Sequence, residues 1–245
     1  MSIRTIILVA LLAAQPVYSS SISISSGTDQ VGLLELYTSE GCSSCPPADR
    51  WITALEDNAQ LWRQFVPIAF HVDYWDYIGW KDRFASSDYS QRQQRHALEQ
   101  MMHTVYTPGV FYNGREWRNW RSGPGSVPGD GSKVGELKLE IENQTARVEF
   151  DPATPLKTSL QASVVLLGFD IATQVKAGEN VGRELKHNFV VLGHETMLMQ
   201  EQDGRYVISM QLPTSNEDAP RYAVAAWVNR TALQQPIQAV GGWLN

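Results

Sequence analysis

The chain has 245 residues, of which two are cysteine, with 43% hydrophobic and 19% charged side chains and a formal net charge of −6. That composition is ordinary for a globular protein, and two cysteines are too few for a small disulfide-framework scaffold. The acidic balance, with no dense basic patch, argues against nucleic acid or an anionic membrane as the main partner.

Residues 1–19 read as a secretory signal peptide. Arg4 supplies the positive start, residues 6–14 a short apolar core, and Val17 and Ser19 are small enough for cleavage after Ser19. The core is shorter than the about 20 apolar residues that span a bilayer, so no stable membrane insertion is expected after cleavage. Export implies a periplasmic or secreted protein in an oxidising compartment, where two cysteines tend to pair. Serine-rich residues 20–30 are expected to be a flexible leader.

Residues 31–37 form an apolar run with the character of a buried strand. Residues 48–61 pattern as an amphipathic helix with Trp51, Leu55 and Ala59 on one face. A second buried strand is expected at 65–72 and a second helix at 88–103, capped by Ser86, Ser87 or Asp88. Asn113-Gly114, the preferred pair for a tight type I′ turn, then separates 110–112 from 115–120 as a hairpin. The two long crossovers imply parallel strands. Residues 122–132 are almost wholly turn formers and mark a linker. Beyond it, alternating runs at 136–142, 146–150, 159–169, 189–192, 206–212 and 222–229 predict a β-sandwich over 133–245.

The two cysteines, Cys42 and Cys45, are spaced C-x-x-C between the first strand and the first helix. Free N–H groups and the helix dipole at such a junction stabilise a thiolate. The same spacing also holds zinc or forms an inert staple. Exchange with a substrate disulfide needs an attacking thiolate and a second thiol to resolve the mixed disulfide. Cys42, at the loop end, is the expected nucleophile and Cys45, one turn in, the expected resolver. Pro46 and Pro47 suit a first helical turn, where a missing N–H costs nothing. Pro108, opening a strand before a tight hairpin, suits a cis bond after Thr107, which would turn the Thr107 backbone outward to pair with a bound peptide.

Three segments carry a family resemblance: L-E-L-Y-T-S-E-G-C-S-S-C-P-P-A-D at 34–49, H-V-D-Y-W-D-Y-I-G-W-K-D at 71–82 and Y-T-P-G-V-F-Y-N-G at 106–114. They resemble the thioredoxin superfamily, and more closely a secreted bacterial thioredoxin-like family classed as a domain of unknown function. The likeness covers residues 31–121 and extends loosely into 178–192. It implies an α/β thioredoxin-like domain, here followed by an all-β sandwich-like domain. It also implies that Glu35, an acid inside an apolar strand, moves protons for Cys45, with a pKa raised by burial. Two departures stand out. The dipeptide between the cysteines is Ser-Ser rather than Gly-Pro, so no redox potential carries over. The helix that usually follows the hairpin is missing, which leaves the β-domain to cover that face.

The aromatic run Tyr74, Trp75, Tyr77, Ile78 and Trp80 has two readings. Either Trp75 and Trp80 belong to an apolar lip that binds extended polypeptide, or the run packs beneath the next helix. His71 and Asp73 beside the cysteines raise a copper or zinc site, against the simpler reading of His71 as a core histidine. No metal or cofactor is expected, and His187, His194 and Arg183 receive no role. The sequence thus predicts an exported thiol–disulfide oxidoreductase acting on protein or peptide disulfides with a redox partner. The alternative is a non-catalytic envelope binding module with a fixed disulfide, and a metal chaperone comes third.

Overall fold

The computed structural model describes residues 21–123, 127–129 and 131–244. The expected signal peptide, residues 1–19, and part of the expected linker lie outside them. In chain order the first half holds β1 (Ile22–Ser25), β2 (Gly32–Thr38), α1 (Pro46–Thr53), β3 (Phe65–His71), α2 (Ser87–Glu99), β4 (Gly109–Tyr112) and β5 (Arg115–Glu116). The second half is β throughout: β6 (Gly135–Glu142), β7 (Thr145–Pro152), β8 (Leu160–Phe169), β9 (Ile171–Gln174), β10 (Glu184–His187), β11 (Val190–Leu198), β12 (Gln200–Gln202), β13 (Arg205–Gln211), β14 (Arg221–Arg230) and β15 (Pro236–Leu244).

Local chemistry sets the element ends. Pro46 and Pro47 occupy the first turn of α1, where their missing N–H groups leave no bond unmade. The helix is shorter than its apolar pattern predicts, tightening after Thr53 into a 3₁₀ turn, Ala54–Asp57, and leaving it at Asn58 with extended backbone. Ser86 caps α2 by accepting the Asp88 N–H at 3.2 Å. Asn113 and Gly114 both take positive φ, 47° and 75°, as a type I′ turn requires.

The expectation of a thioredoxin-like α/β domain followed by a separate sandwich is corrected by the sheet topology. The molecule is mostly β, and strands of both halves hydrogen-bond into one eight-stranded mixed sheet, β15-β14-β8-β11-β3-β2-β4-β5. The seam lies between β3 and β11, where Val190 pairs parallel with Ala69 and the Ala69 N–H donates to the Phe189 carbonyl at 2.8 Å. Alone, the outer edge of β3 would present unpaired N–H and C=O groups from a fully buried strand. The second half supplies their partners by continuing the sheet, and it also packs on the first half: the Trp243 ring lies 5.8 Å from that of Trp62, and the Val31 N–H donates to Gln238 Oε1 at 2.7 Å.

A five-stranded sheet, β1-β6-β7-β13-β12, packs on the far part of the large one. Leu139, Val148 and Phe150 meet Val164, Val224, Ala226 and Val240 there. The alternate residues Val165, Leu167, Ala225 and Trp227 join the core shared with β2 and β3. Strands β8 and β14 are therefore buried on both faces. The expected flexible leader contains β1, which pairs with β6 from Ile22–Ile141 to Ser25–Lys138. Where a closing helix is missing, a 3₁₀ turn, Arg118–Ser122, brings Trp120 to 5.5 Å from the Trp51 ring, with Trp117 at 5.7 Å.

Candidate functional site

The loop after β2 turns tightly into α1, with the Cys42 N–H donating to the Ser39 carbonyl at 3.1 Å and the Cys45 N–H to the Cys42 carbonyl at 3.2 Å. Cys42 and Cys45 are joined as a disulfide, and Cys45 stands at the N-cap of α1. Both are 0% exposed, while Ser43 and Ser44 between them face solvent. The Thr107–Pro108 bond is cis. Thr107 faces the pair: its carbonyl oxygen lies 3.8 Å from Cys42 Sγ and accepts the Ser44 hydroxyl at 3.3 Å. Trp75 fixes that residue by donating its indole N–H to Thr107 Oγ1 at 2.7 Å. Trp80 turns the other way and donates to Glu40 at 2.8 Å. The two tryptophans expected to form a lip thus spend their N–H groups on the site's own frame, and it is Tyr77 that is exposed, at 82%.

Glu35 is buried on the α2 face of β2, away from Thr38. Burial alone would raise its pKa, but Arg92 at 2.7 Å and His96 at 3.2 Å outweigh that and hold the carboxyl well below the usual range. The expected raised pKa is therefore corrected in sign. A carboxylate so held stays ionised at neutral pH and is a poor proton acceptor.

The buried acid beside Cys45 is Asp49. It lies four residues on in α1, so the two side chains share a helix face. Asp49 accepts the Thr38 hydroxyl at 2.7 Å, and burial raises its pKa against the opposing pull of His187 and His71. Around it the strand ends gather a cluster. His71 pairs with Asp82 at 2.6 Å, and Asp82 also accepts the Glu40 N–H at 2.9 Å. Glu40 sits 3.3 Å from His187, whose ring lies 5.1 Å from that of His71. Burial opposes charge on His71, but Asp82 prevails and lifts its pKa to about 8. Asp82 and Glu40 are correspondingly lowered against burial, by His71 and His187 respectively. A cleft of about 170 Å³ between α1 and β10 is lined by Asp49, Arg50, Glu184 and Lys186.

Asp73 does not join His71; it binds the Ser90 hydroxyl instead. Among the described residues, no group of three or more His, Cys, Asp or Glu has the arrangement of a metal site.

The chain matches the family described as protein of unknown function (DUF1223) over residues 33–229. It belongs to that family. No curated protein matches it. Among solved structures it is similar to a crystal structure of an Agrobacterium tumefaciens protein, with a TM-score of 0.62 and 21% identity over 89% of this chain and 96% of the other. It is also similar to HBP35 of Porphyromonas gingivalis, with a TM-score of 0.61 and 17% identity over 89% of this chain and 76% of the other. At these identities the likeness is one of fold.

Sequence reasoning missed Glu40, Asp49, Asp82, His187 and Asn180. Only Asp49 carried a local signal, its spacing of four from Cys45 in a helix. Asn180, between β9 and β10, is buried and donates to the carbonyls of Glu40 at 2.8 Å and Cys42 at 3.0 Å. Among the described residues no helix is long and apolar enough to cross a membrane.

Proposed function

We propose that the protein is an exported thiol–disulfide oxidoreductase, periplasmic or secreted, acting on protein or peptide disulfides. The observation that carries this reading is the Cys42–Cys45 pair at the start of α1 with a protonatable, buried Asp49 one turn beyond Cys45. A disulfide closing so small a loop stabilises a fold little, so a purely structural role explains its presence poorly. The resemblance of residues 34–49, 71–82 and 106–114 to thioredoxin-superfamily sequences supports the same chemistry, although the whole fold differs from the expected one.

In the reduced protein the Cys42 thiolate attacks one sulfur of the substrate disulfide. That bond breaks, and the departing substrate thiolate takes a proton. Cys45 then gives its proton to Asp49, and its thiolate attacks Cys42 Sγ, which releases the second substrate thiolate and closes the Cys42–Cys45 bond. The substrate gains two electrons and two protons, and a dithiol redox partner returns them to the protein. Each step is reversible. Thr107, held by Trp75, offers its backbone to the substrate chain beside Cys42, with Pro108 behind it.

The rival reading is a non-catalytic envelope binding module with a fixed disulfide, and the complete burial of both sulfurs favours it. Trapping separates the two. Cys45→Ala leaves a mixed disulfide unresolved, so Cys42-linked client proteins should accumulate in the cell envelope. Absence of such adducts, where another oxidoreductase trap captures clients, supports the fixed disulfide.

A further inference from the structure

Exchange at Cys42 requires a second sulfur to approach Cys42 Sγ, and that residue is 0% exposed. Something must move. Three walls surround the pair. Trp75 and Ile78 form one, packed so tightly on Gly41 that an added Cβ would lie 3.1 Å and 3.2 Å from them. Thr107 forms the second, fixed by the Trp75 hydrogen bond. The loop between β9 and β10 forms the third.

This loop packs on the first wall at Gly178, where an added Cβ would lie 3.2 Å from Ile78 and 3.3 Å from Trp80, but the tip beyond Gly178 is held differently. Its tip is a unit closed by its own bonds: Gly182 N–H to the Val175 carbonyl at 2.9 Å, Val175 N–H to the Arg183 carbonyl at 3.0 Å, and Arg183 to Asn180 Oδ1 at 2.8 Å. It turns at Gly178 and Gly182, with φ of +75° and +81°, where only glycine is unstrained. Three hydrogen bonds hold it to the dithiol loop: the two from Asn180 and the Ser43 N–H donated to Glu179 at 3.0 Å, the last exposed to solvent. Val181 at the tip is 60% exposed, and no buried side chain of the tip other than Asn180 reaches under the loop. Segments held by few apolar contacts and by solvent-exposed bonds open most readily.

We infer that residues 178–182 are a gate over Cys42, and that Asn180 is the latch that decides which sulfur compounds reach it. The inference rests on the reading of Cys42–Cys45 as an exchanging pair and assigns its size selectivity to the second half of the chain. A small dithiol reaches Cys42 through slight movement, whereas a peptide-sized thiol needs the tip displaced.

The test reduces the oxidised full-length protein with dithiothreitol and, separately, with glutathione, and follows free cysteines by alkylation and mass. In either case a reductant thiolate attacks Cys42 Sγ and the Cys42–Cys45 bond breaks. Cys45 leaves as a thiolate and takes a proton. The second thiol of dithiothreitol, or a second glutathione, then resolves the mixed disulfide and departs oxidised. Asn180→Ala should speed reduction by glutathione about tenfold, the effect of losing one or two hydrogen bonds that hold the closed state, and by dithiothreitol distinctly less. The equilibrium against a glutathione buffer should stay within about twofold, because a gate acts on both directions. Glu179→Ala, at an exposed position with one bond to lose, should show the same order of preference at smaller size and guards against misfolding of the Asn180 variant. Unchanged rates with both reductants, equal acceleration of the two, or a shifted equilibrium without faster glutathione reduction would each overturn the gate. Small thiols need no client, so this result is independent of trapping. The gate can fail while Cys45→Ala still captures clients, and trapping can fail while the gate variants still react faster.

Discussion

On one face of β2, Glu35 meets Arg92 and His96; on the other, beyond Thr38, the carboxylates of Glu40, Asp49 and Asp82 share the histidines His71 and His187. Both clusters are buried, and each contains acid and base. The difference is the kind of cation. Arg92 never loses its proton, so Glu35 is locked in the ionised state, and the group is further tied down by Gln234 at 2.7 Å and by Trp227, 5.0 Å from the guanidinium. On the α1 face the pKa of His71 is lifted to about 8, and those of the neighbouring acids are driven apart, Asp49 upward and Asp82 and Glu40 downward. Groups pushed apart in this way are suited to giving and taking protons near neutral pH. The α2 face therefore holds the fold, and on the proposed function the α1 face, under Cys45, serves the exchange.

The largest effect should come from breaking the locked cluster. Arg92→Met leaves Glu35 buried without its main cation, and unfolding by denaturant should show a loss of about 3–5 kcal/mol. A loss under about 1 kcal/mol would mean that the α2 face is not the structural lock. Asp49, in the other cluster, should respond in rate rather than stability. Asp49→Asn keeps shape but removes the acceptor of the Cys45 proton, and thiol–disulfide exchange with a model peptide at neutral pH should slow by about 10²-fold. Stability should change little, since the wild-type carboxyl is itself disfavoured in its charged form by burial. Unaltered exchange in this variant would return Asp49 to a merely structural role.

A smaller effect tests the same cluster through pH. The pKa of His71 is raised in the folded protein, from 6.5 to about 8. Its contribution is thus complete below the unfolded value and is lost as pH rises through the folded one. Stability should fall on the order of 2 kcal/mol between roughly pH 6 and 9, and Asp82→Asn should flatten that slope. On the acid side the sign reverses for Asp82 itself: its lowered pKa stabilises above the unfolded value and is lost as pH falls through the folded one. A wild-type slope that persists in Asp82→Asn would assign it to another group.

How much of this was legible in the sequence follows from range. The C-x-x-C spacing, the Pro46-Pro47 start of α1, the Asn113-Gly114 turn and the burial of Glu35 are local facts, and local pattern reports them. The sign of the Glu35 shift was not local, because Arg92 and His96 arrive from a helix 57 and 61 residues away. The fold class failed for the same reason. An alternating strand reads alike whether it belongs to a separate sandwich or extends a neighbouring sheet, and nothing in residues 189–192 says that β11 pairs with β3. His187 received no role because Glu40 and His71, which define it, are distant in sequence. Asn180 carries no local signal, because the carbonyls it bonds, those of Glu40 and Cys42, are 140 and 138 residues away.

The central claim is that Cys42–Cys45 is a working dithiol, and its reduction potential tests that claim most directly. Equilibrated with a defined redox buffer, the pair should give a value between about −270 and −120 mV, within the range of exchanging dithiols. A value below about −300 mV, typical of structural bridges, would contradict it.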